Sequence, residues 1–155
     1  MKKRKVSVRD IYMKKMVYLS GACKNESYEE RTGWRRKCSE WINNYSDNFT
    51  VFNPVDYFDY SRDDHQSELE VFKFEHRKVK EAAVILVNLK NANQSVGTIA
   101  ELAWAYEKDI PIIGFYDGEN DISHVHEWIK LMCDRTFDGK DAMNDALKYI
   151  RDYYG

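Results

Sequence analysis

The sequence predicts an α/β fold: a five-stranded parallel sheet with helices on both faces, of flavodoxin-like or Rossmann-like type. Short runs rich in Val, Ile and Leu alternate along the chain with stretches of helical period, the pattern of strands joined by helical crossovers. One span shows the unit complete. AVILVNL at Ala83–Leu89 and IPIIGFY at Ile110–Tyr116 flank a helix-forming segment, and right-handed crossovers make such a unit parallel. No repeat and no low-complexity linker interrupts the 155 residues, a length suited to a single domain.

Taken in order, Met16–Ser20 (MVYLS) reads as the first strand, and Gly21 opens a polar loop expected to run through Gly33. Trp34, Cys38, Trp41 and Ile42 fall on one stripe of a helix. Phe49–Phe52 is the second strand, ended by Asn53-Pro54. A loop rich in Asp and Tyr follows, from Val55 to about Gln66. Leu69, Phe72, His76 and Val79 mark a second helix, expected to bury that face and to end near Glu81. After the strand–helix–strand span, His124–Met132 reads as helical and Arg135–Phe137 as a brief strand. A last helix from Lys140 to Tyr153 aligns Ala142, Ala146, Leu147 and Ile150.

Composition narrows the function. Hydrophobic residues at 43% and charged residues at 32% describe an ordinary globular chain. The net charge of −2 gives no reason to expect a polyanionic partner. Lys2, Lys3, Arg4, Lys5 and Arg9 form a basic extension over residues 1–15, ahead of a domain at 16–155, and nucleic-acid binding by this arm is not expected. No run approaches the ~20 apolar residues of a membrane span, and no apolar core follows the charged start as a signal peptide requires. Cys23, Cys38 and Cys133 are odd in number and widely spaced, so reduced thiols and a cytoplasmic location are expected.

In a doubly wound sheet the site lies beyond the carboxyl ends of the strands, where Ser20–Ser27, Asn53–His65 and Asn88–Glu101 should converge. The chain lacks a G-x-G-x-x-G fingerprint, a P-loop and a G-x-S-x-G elbow. An acid-bearing constellation remains. Gly97 lets backbone pass close to a ligand, Thr98 is expected to help cap the helix, and Glu101 follows within two turns. The helix dipole there favours an ionised carboxylate by about 0.3–1 kcal/mol, and an ionised carboxylate beside a sugar can attack its anomeric carbon. His124, His126 and Cys133 are not expected to bind metal, because an H-x-H pair on a helix points to different faces. The acids Asp56, Asp59, Asp63 and Asp64 of the second-strand loop are read as solvated, with Tyr57, Phe58 and Tyr60 as aromatic neighbours.

YLSGA at Tyr18–Ala22, the segment ending VKEAAVILVNL and SVGTIAELAWA at Ser95–Ala105 resemble the nucleoside 2-deoxyribosyltransferase family, whose relatives include 2′-deoxynucleoside 5′-phosphate N-hydrolases. The resemblance is clearest over Val17–Gly21 and Phe74–Phe115. It implies that Glu101 is a nucleophile toward C1′ of a deoxyribose, with no metal or organic cofactor. Glu75 stands where the family carries a base-contacting aspartate, and is the candidate leaving-group acid. Ser95 matches the phosphate contact of the hydrolases rather than the aspartate of the transferases, and Lys24 stands where they carry a basic residue. Ala22 replaces a hydroxyl of theirs. Ala83 replaces a frequent aspartate, which implies the loss of one polar support of the site.

Ser20, Gly21, Asn88, Gly97 and Thr98 complete the expected substrate-binding set. The resemblance also implies a homodimer or higher homo-oligomer, with Trp34 and Trp41, or Trp128, offering the interface. Tyr153 and Tyr154 are expected to approach a neighbour's site. The reading is therefore an enzyme cleaving the N-glycosidic bond of deoxynucleosides or their 5′-monophosphates, with the sugar passed to another base or to water. A nucleotide-sensing module without turnover and a TIR-like NAD glycohydrolase are the alternatives.

Overall fold

The computed structural model describes residues 14–58, 67–118 and 121–155. Residues 1–13 of the basic arm and the loop residues Asp59, Tyr60, Asp63 and Asp64 lie outside them, and the domain expected from residue 16 already has its first strand at Lys15. Five strands form one sheet in the order β2-β1-β3-β4-β5: β1 Lys15–Ser20, β2 Phe49–Phe52, β3 Val84–Asn88, β4 Ile112–Tyr116 and β5 Arg135–Asp138. Every pairing is parallel. Residues of β3 and β4 are buried throughout, which is why both read as unbroken apolar runs. The strand order reverses between β1 and β3, and that reversal opens a crevice at their carboxyl ends.

The helices are α1 Tyr28–Tyr45, α2 Glu68–Glu81, α3 Val96–Glu107, α4 Glu127–Met132 and α5 Ala142–Tyr154. They cover both faces. Val17, Leu19, Val84 and Leu86 pack with Cys38 and Ile42 of α1 and Ala146, Leu147 and Ile150 of α5. Tyr18, Ile85 and Val87 face the other way, onto Val79 of α2, Leu102 and Ala105 of α3, and Ile129 of α4. The two-residue period of a strand thus assigns the side chains at the end of β1 to layers, Tyr18 and Ser20 toward α3 and Leu19 toward α1, with Gly21 just beyond the strand lying against Trp34 and Arg35 of α1. None of the described helices is long and apolar enough to cross a membrane.

Three expectations are corrected. The loop after β1 does not extend through Gly33, because α1 begins at Tyr28. Ser27 accepts from the Glu30 N–H at 3.2 Å while the Ser27 N–H donates to the Glu30 carboxylate at 2.9 Å. This capping box starts the helix and leaves Gly33 buried within it. The inward stripe of α1 is Arg31, Arg35, Cys38 and Ile42, while Trp34 and Trp41 flank it half-buried.

The buried face of α2 is also rotated from the expected one. Leu69 and Phe72 are 60% and 53% exposed, whereas Val71 and Val79 are buried and Phe74, Glu75 and Lys78 are half-buried. Positions 71, 75, 78 and 79 form a helical stripe, so Glu75 belongs to the inward face. Finally, residues 124–132 are not one helix. Ile122–His124 is a 3₁₀ turn, and α4 starts at Glu127 after the His126 ring nitrogen Nδ1 accepts from the Trp128 N–H at 3.1 Å.

Removing the capping hydroxyl of α1 with Ser27→Ala should lower stability by about 1 kcal/mol. The urea midpoint should fall with an unchanged denaturant slope, and an unchanged midpoint would contradict the capping role.

Candidate active site

The crevice at the β1/β3 reversal is floored by the ends of those strands. Ser20, Gly21 and Asn88 are all buried there. The Asn88 side chain accepts from the Lys90 N–H at 3.0 Å and turns the chain out of the sheet. Gly21 is required by its neighbours: an added Cβ would lie 2.8 Å from Trp34 Cζ2 and 3.4 Å from Asn88 Cβ. Two bridges brace the loops around the mouth. Asn91 donates to Glu26 at 2.8 Å, and Asn93 donates to the His124 carbonyl at 2.7 Å while accepting from the His126 N–H at 2.8 Å.

The helix that rises from this edge brings in the acid. Ser95, not Thr98, is the N-cap of α3. Its hydroxyl accepts from the Thr98 N–H at 3.3 Å and shares a hydrogen bond of 2.8 Å with the Thr98 hydroxyl. The correction follows from numbering within the turn, since Thr98 is already the third helical residue and the cap must precede the first. An added Cβ at Gly97 meets no protein atom within 4 Å, so the packing of the described residues does not demand this glycine and its approach stays open.

Glu101 lies in the second turn of α3, only 6% exposed. The Ser20 hydroxyl donates to its Oε1 at 3.3 Å. Its carboxyl is not the ionised group expected from the dipole. Burial, followed by the charge of Glu75, pushes its pKa from the usual 4.5 up to about 8, against smaller lowering effects from Tyr18, Arg35 and Ser20. The dipole's influence fades beyond the first turn, whereas desolvation acts on every buried carboxyl. Two expected acids, Glu101 and Glu75, are therefore brought close enough to feel each other.

Other expected residues are placed differently. Lys24 is exposed at the rim. Ala83 precedes β3 and donates its N–H to the Met16 carbonyl at 2.9 Å, at the amino-terminal edge of the sheet. Five residues of strand, about 16 Å, separate it from Asn88. An acid at this position would not have supported the site, so its absence removes nothing from it. Trp34 packs edge-on against Phe115 at 5.6 Å, while Trp128 remains 76% exposed. Tyr153 is exposed and Tyr154 half-buried, both at the end of α5.

Two site residues escaped the sequence reading. Tyr18 shares the face of Ser20 by strand alternation, and its hydroxyl acts on Glu101. Arg35 sits fully buried on the inward stripe of α1, donating through Nη2 to the Gly21 carbonyl at 2.9 Å. The signal was present in each case: a tyrosine two residues before the strand-end serine, and an arginine in line with Cys38 and Ile42.

Two grooves lie outside this crevice. One of about 430 Å³ is lined by Tyr28, Arg31, Arg36, Asn53 and Asp56, among others, beside the end of β2. The other, of about 440 Å³, is lined by Glu107, Asp109 and Asp134, among others, and carries none of the candidate residues.

A family profile described as nucleoside 2-deoxyribosyltransferase like matches residues 14–118, the span that holds β1 through β4 and every residue of the crevice. The chain belongs to that family. Solved structures share the fold at low identity. A conserved protein from Enterococcus faecalis superposes with a TM-score of 0.68 at 11% identity, covering 87% of this chain and 98% of its own. A 2-deoxyribosyltransferase from Bacillus psychrosaccharolyticus gives 0.63 at 19% identity, covering 86% and 91%. A CMP N-glycosidase from Clostridium botulinum gives 0.60 at 14% identity, covering 90% and 99%. No curated protein matches this sequence.

Because the folded-state pKa of Glu101 is raised, the native chain holds a proton that the unfolded chain has lost between about pH 4.5 and about 8. Stability contributed by this group is complete below the lower value and falls as pH rises through the window. Glu101→Gln removes the titration. Its stability relative to wild type should therefore rise with pH across the window, by at most about 1.4 kcal/mol per pH unit, in paired urea melts. A difference independent of pH would contradict the buried, raised carboxyl.

Proposed function

We propose that the protein cleaves the N-glycosidic bond of 2′-deoxynucleosides or their 5′-monophosphates by a retaining mechanism centred on Glu101. The observation that carries this reading is a carboxyl buried in the crevice, held by Ser20 at 3.3 Å and faced by a second carboxyl, Glu75, in a chain of this family. A retaining glycosyl transfer needs those two groups in two roles.

In the first step the proton held between the two carboxyls passes to Glu75, the ionised Glu101 attacks C1′ and forms a glycosyl ester, and the bond from C1′ to the base nitrogen breaks. The departing base takes a proton from Glu75. In the second step another base or water attacks C1′ and gives its proton to the Glu75 carboxylate, the ester breaks, and Glu101 returns to its carboxylate with the configuration at C1′ retained. A 2-deoxy sugar suits this small apparatus, since no electron-withdrawing hydroxyl sits beside the developing oxocarbenium ion. The shared fold with one enzyme described as a transferase and one as a glycosidase supports N-glycosidic chemistry and accommodates both fates of the sugar.

A 5′-phosphate finds support at the start of α3. The first N–H groups of a helix lack intrahelical acceptors and favour anions, the Ser95 hydroxyl stands at that terminus, and Lys24 adds a positive charge at the rim. The two alternatives have less behind them. The sensing module rested on Ala83, which lies at the far edge of the sheet, and no feature of the described residues favours NAD over a deoxynucleotide.

The test is chromatography of free base from the four deoxynucleosides and their 5′-monophosphates, with and without a second base. Wild type should release base, and Glu101→Ala should lower the rate at least about 1,000-fold, equivalent to about 4 kcal/mol of barrier. A new nucleoside with the second base identifies transfer; its absence with continued release identifies hydrolysis. No release from any substrate, or undiminished release by the variant, overturns the proposal. Since the reacting pair needs one proton, placed on Glu75, kcat/KM should be level just below about pH 8 and fall tenfold per pH unit above it as that proton is lost. A profile that still rises through pH 8 would contradict a proton shared by the two carboxyls.

A further inference from the structure

Arg35 is an unusual residue to find inside this protein. It is 1% exposed, and a buried guanidinium is costly unless charge and hydrogen bonds compensate it. Nη2 bonds the Gly21 carbonyl at 2.9 Å, and the guanidinium lies 4.8 Å from the centre of the Trp34 ring. Nε and Nη1 are buried with no hydrogen-bond partner among the described residues. Packing alone would be served better by an apolar side chain, as at Cys38 and Ile42 on the same stripe.

The location supplies a reason for the charge. Gly21 follows Ser20, whose hydroxyl holds Glu101, so the Arg35 bond fixes the backbone one residue from the contact that orients the acid. Trp34 closes the same loop from the side, leaving no room for a Cβ at Gly21. Arg35 lies on the α1 layer and Glu101 on the α3 layer, and the two meet electrostatically around the end of β1. We propose that Arg35 is a positioning residue of the Glu101 site, pinning the Ser20–Gly21 strand end and providing the buried positive charge that the crevice carboxyls face.

The groups around Glu101 leave this part to Arg35. Glu75 of α2 opposes ionisation, Tyr18 and Ser20 of β1 favour it through their hydroxyls, and Arg35 of α1 is the cation that favours it. Cys23, on the loop after β1, feels Arg35, Arg31, Glu75 and Glu101, and burial pushes its thiol up to about 11, so it stays neutral beside them. On the α1 side Arg35 acts on Cys38, a thiol that Asp117 also influences from the end of β4.

The inference rests on Glu101 being the reacting acid, and its test separates the two claims. The Glu101 carboxyl is titrated directly by carbon-13 NMR in uniformly glutamate-labelled protein, assigned by Glu101→Gln, in wild type and in Arg35→Gln, Arg35→Met and Arg35→Lys. Arg35→Gln and Arg35→Met are both made so that one folded neutral variant suffices, with folding checked by circular dichroism. The neutral variants should move the midpoint upward by about one pH unit. The pH above which kcat/KM falls should move up with it by the same amount. Arg35→Lys, which keeps the charge, should leave the midpoint in place and lower kcat through the lost grip on Gly21.

An unmoved midpoint in a folded neutral variant overturns the electrostatic role. A shift in Arg35→Lys as large as in Arg35→Gln overturns it equally. The titration needs no substrate. If wild type releases no base, the glycosidase reading fails while the Arg35 result stands. If wild type is active and the neutral variants titrate unchanged, this inference alone fails.

Discussion

The burial of one carboxyl at the end of a parallel sheet is the constraint around which this molecule is arranged. Glu101 sits where the strand order reverses, 6% exposed, and removal from water raises its proton affinity more than Tyr18, Arg35 and Ser20 lower it. Each neighbour answers to that fact. Ser20 and Tyr18 share one face of β1 because strand side chains alternate, and both direct hydroxyls to the acid. Gly21, on the opposite face, leaves room for Trp34 and accepts Arg35, so the second layer of the protein reaches the first through a single strand end.

Two carboxyls that face each other in a crevice cannot both ionise easily. In the proposed mechanism the one proton the pair holds is on Glu75 for the departing base, which leaves Glu101 as the nucleophile. The rotation of α2 matters here. Its inward positions are the buried Val71 and Val79 and the half-buried Phe74, Glu75 and Lys78 rather than Leu69 and Phe72, and it is this rotation that directs Glu75 inward. The family to which the chain belongs makes the proposed assignment of those two roles a chemical reading of the geometry.

Much of the architecture was legible in the sequence because burial on both faces writes itself as uninterrupted apolar runs, as in β3 and β4, and because α5 carries its core face at Ala142, Ala146, Leu147 and Ile150 with no competing stripe. Where two stripes compete, the apolar count misleads. In α2, Leu69 and Phe72 outweigh Val71 on hydrophobicity, yet the inward face is settled by packing against β1 and α3. In α1, Trp34 and Trp41 drew attention from Arg35, since an arginine on a buried stripe contradicts the pattern being sought. The start of α1 was missed for a local reason. Gly33 looked like loop, and the Ser27–Glu30 capping box upstream of it decides otherwise. The candidate site was legible at Glu101, Glu75 and the strand-end Ser20–Gly21 pair. The protonation of Glu101 was not, because desolvation depends on what covers a residue.

The central claim is that Glu101 becomes covalently bonded to the sugar, and the direct measurement is mass spectrometry of the protein after incubation with a 2′-fluoro-2′-deoxyarabinosyl nucleoside. The electron-withdrawing fluorine slows release of the glycosyl ester more than it slows departure of a good leaving base. The account predicts a mass gain of one fluorinated sugar, mapped to the peptide that contains Glu101 and absent from Glu101→Ala. Base released with no adduct on wild type, or an adduct on another residue, would contradict it.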